Sequence, residues 1–543
     1  MECVALRSPD VVMRLDRLGA SHPTRLSFLR ALIRRAARER WRFRRVLWSM
    51  DDAGHGAAVH AVDAGSRTYS LVAFSAPLED SRRTDRVIAE AWDTSYVLYD
   101  GVPTTDEIER LRAAAPRQEA ARFTARDLVL ARANKSVRLF DSVVDALAAG
   151  RQPDVEEVLG VGYLMRTTAV YGNGKFGIAD RDEIAARPEL SGPFQAEMLT
   201  VWLIRSFTFD LAEHVATRRS PGRAARLDRE LRRGLGVGNA TGLGMAPFLA
   251  RHPVLMHNWF HARETALARV RAVPEAPAKA RDAFTGEIDE MRARVARWRT
   301  ADAEQREATR RLAGELARLA AEAPALLVSH ELPWDAVYRF AEDAFSLEGQ
   351  EATVALLLEP HGDVVDDLAA TMADETCQFR IDGGMTCEVL RASIARHYAW
   401  AMAFDFREAS ANARFWYVSE EKLEPRLGER FQEPGAEREQ PLAIARDVAA
   451  LALVLETEPP ETRVADFLAR RPEWRHIVRR VAIVAAHPYA EVRGNLIDAN
   501  MRPVDLLRAK LAFFGARNFD PRSDRWLRIA LFAGEPLVED IAA

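Results

Sequence analysis

The sequence predicts a mainly α protein: a large helical body, a small N-terminal α+β subdomain containing an antiparallel sheet, and a long helical hairpin or arm near 278–323. Three observations predict it. From Trp41 to Ser75 apolar residues recur with a period of two, interrupted by the turns Asp52–Gly56 and Ala64–Ser66, the pattern of an antiparallel meander. Beyond the fourth strand candidate the period is mostly that of helices. The stretch Ala278–Ala323 has no proline and spaces Phe284, Ile288, Met291, Val295 and Trp298 by four and three.

Taken in order, residues 1–40 read as helices, with Leu26, Phe28, Leu29, Leu32 and Ile33 on one face. Strands follow at Trp41–Trp48, Ala58–Val62, Thr68–Ser75 and Thr94–Tyr99, with Ser81–Trp92 helical, giving an α+β subdomain over 1–115. Asp106–Ala114 also reads as a helix, and a helical core with Gly-rich loops then occupies 116–277, built on Ala125–Ala149, Pro153–Gly160 and Phe194–Arg219. The last of these is apolar nearly all round and should be buried, so its Arg205 and Asp210 need partners. In 278–325 the seam positions Asp302, Gln305 and Thr309 are polar. Either one helix of roughly 70 Å has a solvated middle, or Thr300 caps a second helix and the two form a hairpin. Such an arm suits a homodimer. Residues 326–543 read as a C-terminal helical core.

Composition narrows the function classes. The 543 residues carry 76 basic and 80 acidic side chains, net −4, with 48% hydrophobic content. That near balance gives no electrostatic footprint for nucleic acid. No apolar run is long enough for a membrane span, and MECVALRSPDVVMRL lacks a basic start and apolar core, so a cytoplasmic protein is expected. Cys3, Cys377 and Cys387 build neither a disulfide framework nor a metal-spaced cluster. Only five basic residues are lysine, at 135, 175, 279, 422 and 510. This skew suggests a GC-rich bacterial genome, and it draws notice to any lysine in a constrained place, because arginine cannot supply a deprotonatable amine.

Arg233–His261 is the densest unusual stretch, with glycines at 234, 236, 238, 242 and 244. Glycines crowd together where the backbone bends sharply or approaches something closely, and bare N–H groups can then face an anion. Asn239, Thr241 and Asn258 add hydrogen-bonding groups, and His257 and His261 share a helix face at i, i+4. The order of glycines is neither a dinucleotide fingerprint nor a P-loop. A tight interhelical loop explains it equally well, and no third metal ligand is identifiable, so no metal is assigned.

Other candidates lie elsewhere. Tyr171, Asn173 and Lys175 sit in a Gly-flanked loop that reads as ligand-facing or as a plain surface turn. Thr386 caps a helix whose first turn holds Cys387, a position that lowers a thiol pKa, although most cysteines are small buried hydrophobes. Arg391 and His397 follow on that helix. Trp416 and Tyr417 could wall a flat ligand, and Arg493 and Asn495 suit a carboxylate.

The expected function is a soluble bacterial metabolic enzyme applying acid/base chemistry, of a lyase or isomerase kind, to a small carboxylate or phosphate metabolite. Lys175, His257, Cys387 and His397 are the catalytic candidates; Tyr171, Asn173, Asn239, Thr241, Asn258, Arg391, Trp416, Tyr417, Arg493 and Asn495 are the binding candidates. Two alternatives remain: a flavin- or nicotinamide-dependent oxidoreductase stacking its cofactor on Trp416 and Tyr417, and a non-catalytic helical scaffold. H-E-x-x-H and G-x-S-x-G are both absent.

Overall fold

The computed structural model describes residues 4–82, 91–117, 122–171, 184, 186–240, 252–299, 303–376, 378–403, 414–418, 423–427, 440–442, 444–493, 508, 511–520 and 528–541. The chain packs as two compact units. A sheet unit comprises Pro23–Thr241, Ala293–Arg306 and Leu511–Ala543; a helical unit comprises Met1–His22, Gly242–Arg292 and Glu307–Lys510.

The sheet unit overturns the expected fold class. Its sheet has nine strands, where a small antiparallel one is expected, and the protein is a mixed α/β structure. The strands are β1 (Arg42–Met50), β2 (Gly56–Ala64), β3 (Arg67–Ser75), β4 (Thr94–Asp100), β5 (Asp127–Lys135), β6 (Tyr163–Tyr171), β7 (Gly236–Ala240), β8 (Asn518–Asp520) and β9 (Arg528–Leu531). Their spatial order is β1-β2-β3-β4-β5-β6-β7-β9-β8. All neighbours are antiparallel except β6 and β7, which run parallel. The physical cause of the misreading is burial on both faces. β5, reading DLVLARANK, is buried along nearly its whole length, so it lacks the alternation of a half-solvated strand and reads as part of a helix. The helix that sequence places at Ala125–Ala149 shrinks to Phe140–Ala148.

Helices cover the two faces. We number α1 Phe28–Arg38, α2 Thr105–Ala114, α3 Phe140–Ala148, α4 Gln195–Arg219 and α5 Arg229–Gly234. A reciprocal capping box between Thr104 and Glu107 fixes the start of α2. Leu111 of α2, with Ala115 just beyond it, packs on one sheet face against Val59, Val72, Val97 and Leu130. α4 lies across the opposite face, where its Phe207 meets the rings of Trp48, His60 and Tyr96 at 6.0, 6.1 and 5.6 Å.

The glycine segment is corrected too. Its first part is strand β7, not a ligand loop, and the reason lies in packing. A Cβ on Gly236 would collide with the Leu531 carbonyl oxygen of β9, and one on Gly238 would stand 2.7 Å from the Tyr163 ring of β6. These glycines let three backbones close up. Gly242 and Gly244 lie outside the described residues.

In the helical unit, α6 (Pro253–Arg271) packs against α9 (Pro333–Ala344) and α10 (Leu347–Leu358). Between them in sequence run α7 (Ala278–Arg297) and α8 (Ala303–Ser329), whose residues 293–297 and 303–306 belong to the sheet unit. Neither is a solvated arm: Phe284, Ile288, Met291, Leu312, Leu316 and Leu319 are buried, and Phe284 meets Trp334 of α9 edge-on at 5.6 Å. Residues 300–302, which join α7 to α8, lie outside the described part. α11 (Cys387–His397), α12 (Ile444–Glu456) and α13 (Arg475–Ala486) complete the unit's framework, beside a three-stranded sheet of Arg414–Val418, Leu423–Leu427 and Gln440–Leu442. Among the described residues no helix is long and apolar enough to cross a membrane.

Gly238→Ala is expected to lower stability by about 1–3 kcal/mol through overpacking. Gly286→Ala, whose Cβ would meet nothing within 4 Å, should be neutral or stabilising, since alanine suits a helix better. Urea unfolding of the two variants checks this; equal tolerance would sink the packing account of β7.

Candidate functional site

The helical unit holds most of the sequence candidates. His257, on α6, lies 4.9 Å from the His487 ring and 5.7 Å from that of His261, centroid to centroid. The third histidine that sequence could not supply is therefore His487. Yet the Tyr489 backbone N–H donates to His257 Nδ1 at 3.1 Å, which leaves the neutral ring's proton on Nε2, a donor rather than a metal ligand. Among the described residues no group of three His, Cys, Asp or Glu side chains could hold a metal ion. Burial, then the neighbouring His487 and His261, push His257 down to about 3, so it is a poor base near neutral pH. Asn258 Nδ2 donates to the Ala373 carbonyl at 2.7 Å, pinning a loop.

The start of α11 is closed. Thr386 caps Val389, while the Cys387 and Glu388 N–H groups donate to the Thr462 and Pro460 carbonyls at 2.8 and 3.0 Å. Burial, with Glu458 adding to it, raises the Cys387 thiol. The side chain is fully buried, and both burial and the raised pKa oppose a thiolate there. Arg391 is half-buried on the same helix, and its charge opposes the rise at Cys387. Burial, then Arg396, lowers His397. Arg493 is engaged already: its N–H donates to the Met13 carbonyl at 2.5 Å and its guanidinium pairs with Asp10. Trp416 and Tyr417 fall in the strand Arg414–Val418, but their side chains lie outside the described residues, as does all of Asn495.

In the sheet unit, Asn173, Lys175 and Thr241 lie outside the described residues, and Tyr171 is described only as the last residue of β6. Asn239 is well placed, at the end of a row that only the strand register reveals. Gly56, Ser75, Thr94, Ala133, Thr167 and Asn239 are successive partners across β2 to β7. Directly paired residues share a sheet face, so this row is a floor of small and polar side chains, about 19 Å from Ser75 to Asn239 at the usual strand spacing. It lies on the α4 face, which Tyr96 and His60 also share. Asn239 Nδ2 donates to Thr167 Oγ1 at 3.0 Å, which donates to the Gly238 carbonyl at 3.1 Å. Thr94 Oγ1 donates to the Ala133 carbonyl at 2.8 Å and touches Met165 Sδ at 3.5 Å.

Three groups of stronger chemistry border the floor. Lys135 follows Ala133 by two positions on β5 and so projects from the same face; it is 7% exposed, with Nζ 5.5 Å from the Phe140 ring centre. The Asp93 carboxylate, 1% exposed, accepts the Lys135 backbone N–H at 3.1 Å. The Tyr96 hydroxyl is fully buried; burial pushes its pKa up, the Thr94 side chain opposes that and Asp93 adds to it, and the hydroxyl stays protonated. Sequence reasoning missed Asp93, Ser75, Tyr96 and Thr167. Lysine scarcity marks Lys135 as much as Lys175, and only the structure shows that Lys135 is buried.

The His257 shift has a pH consequence. Its folded pKa is lowered from the usual 6.5 to about 3, so the unfolded chain binds the extra proton between those values. The resulting stability is complete above about pH 6.5 and is lost as pH falls towards 3. His257→Asn keeps an acceptor for the Tyr489 N–H without titrating. It should flatten the pH dependence of unfolding between pH 6.5 and 4, and a wild-type slope in that variant would refute the assignment. Compared with protein-family models, curated proteins and solved structures, the chain matches none.

Proposed function

We propose that the protein is a bacterial, cytoplasmic enzyme that applies acid/base chemistry, of a lyase or isomerase kind, to a small carboxylate or phosphate metabolite on the α4 face of the nine-stranded sheet. The observation that supports this is Lys135. A chain with five lysines among 76 basic residues buries one of them beside a polar floor. Burying an ammonium group is costly, and the other buried basic side chains among the described residues are arginines and histidines. Arginine would supply charge there, but only lysine combines an anion-binding charge with a transferable proton.

In this scheme Lys135 binds the anion and moves the proton. Tyr96, held protonated, donates to a developing oxyanion. Thr167 and Asn239, locked to each other and to β7, orient the substrate. His257, Cys387 and His397 have no part in it.

A thermal-shift panel of carboxylates, phosphates and nucleotides tests the proposal. A ligand at a hundredfold excess over its Kd stabilises by about 2.7 kcal/mol, or roughly 5–10 °C for a unit of this size. The wild type should respond to at least one anion, Lys135→Met should not, and Lys135→Arg should bind without turnover. The proposal fails if no anion shifts the wild type, or if Lys135→Met responds as strongly.

A further inference from the structure

The floor's hydrogen-bonding capacity says more about the ligand than the lysine does. Thr94 and Thr167 have committed their hydroxyl protons to the Ala133 and Gly238 carbonyls. Their oxygens are therefore left as acceptors, and Thr167 already takes the Asn239 amide. Ser75 Oγ and Tyr96 Oη differ. Both are buried, at 5% and 0% exposure, and neither meets hydrogen-bond geometry with any described residue. Ser75 is a member of the row. Tyr96 is two positions along β4 from Thr94, on the Ala73–Ala131 row beside it and on the same sheet face, and its hydroxyl interacts with the Thr94 side chain and with the Asp93 charge.

A buried hydroxyl with no partner weakens a fold, and its removal is free of that cost. Two of them on adjacent rows of one sheet face, beside a committed acceptor and a carboxylate, form a set that both donates and accepts. A bare carboxylate or phosphate only accepts, and Lys135 suffices for it. A carbon chain carrying hydroxyl groups matches the rest.

We infer that Ser75, Thr94 and Tyr96 form a hydroxyl-recognition subsite, so that the substrate is a hydroxylated anion, a polyhydroxy acid or sugar phosphate, rather than a simple carboxylate or phosphate. This rests on the anion-binding role given to Lys135 above. The anionic group sits at Lys135, and the substrate's hydroxyls lie along the row towards Ser75.

The test uses matched probes on the full chain: glycerate against propionate, glycerol 3-phosphate against propyl phosphate, and ribitol as an uncharged polyol. Ser75→Ala with Tyr96→Phe, made together, should leave the ligand-free Tm unchanged or raised, because neither hydroxyl bonds to a described residue. In the wild type the hydroxylated member of at least one pair should bind about tenfold or more tightly than its deoxy partner, the worth of one or two hydrogen bonds. The double variant should lose that preference while keeping affinity for the deoxy anion. Equal binding of both members of each pair overturns the subsite and leaves the anion-binding proposal standing. Stabilisation by ribitol with no response to any anion upholds the subsite and overturns the anionic reading. No response to any probe overturns both, and so does a hydroxyl preference that survives the double substitution in the case of the subsite.

Discussion

The sheet unit depends on one guanidinium. Arg205, from the middle of α4 and 1% exposed, donates all five of its N–H groups to main-chain carbonyls. Nε reaches Leu235 at 2.7 Å; Nη1 reaches Glu535 and Pro536 at 3.1 and 3.0 Å; Nη2 reaches Arg232 and Arg233 at 3.0 and 2.9 Å. The last two belong to α5, whose final carbonyls have no partner within the helix. Burial pulls the guanidinium down to about 9, yet it stays charged at neutral pH. One side chain thus fixes the end of α5, the entry to β7 and the turn beyond β9. Since β7 carries Asn239, the position of the polar floor follows from this bond set. Nearby Glu535 is drawn low, to about 2, because Arg30 and Arg517 outweigh the opposing effect of burial.

The helical unit uses the same device with carboxylates. Arg7 is bidentate on Glu264, at 2.7 and 2.9 Å, and also grips Glu351 at 2.8 and 3.2 Å. Arg17 reaches Glu351 and Arg263 reaches Glu264, at 3.1 and 3.0 Å. Burial alone would raise the Glu351 carboxyl, but Arg7, Arg263 and Arg17 hold it low. Such networks add little net stability over an apolar core, yet removing one member leaves a buried charge exposed to that core. The segment around Arg7 is fastened to α6 and α10 in this way, and Tyr489 adds a bond from its hydroxyl to the Arg7 carbonyl at 2.7 Å.

Local chemistry was legible in the sequence; register was not. The first three strands and their turns follow from alternation and glycine. The burial of Phe194–Arg219 follows from its apolar circumference, and so does the need to satisfy Arg205. β5 and β6 hid because both faces are covered, which erases the period of two. β7 hid because glycine in a loop and glycine under a tyrosine ring look alike in one dimension. The polar floor could not be read at all. Its members are separated by 19 to 72 positions along the chain and become neighbours only once six strands have been set side by side. His257 and Cys387 attracted attention by residue type and spacing; the letters do not show that burial lowers the imidazole pKa of the one and encloses the thiol of the other.

The position of β9 has a consequence for biosynthesis. β7 ends at Ala240 and its partner on that side begins at Arg528. A ribosome adding about 5–20 residues per second takes roughly 15–60 s to span that interval. During that time the nascent sheet presents an unprotected edge bearing two glycines and no charged side chain, the kind of edge that invites pairing with another chain. Slower translation between these strands would lengthen the exposure.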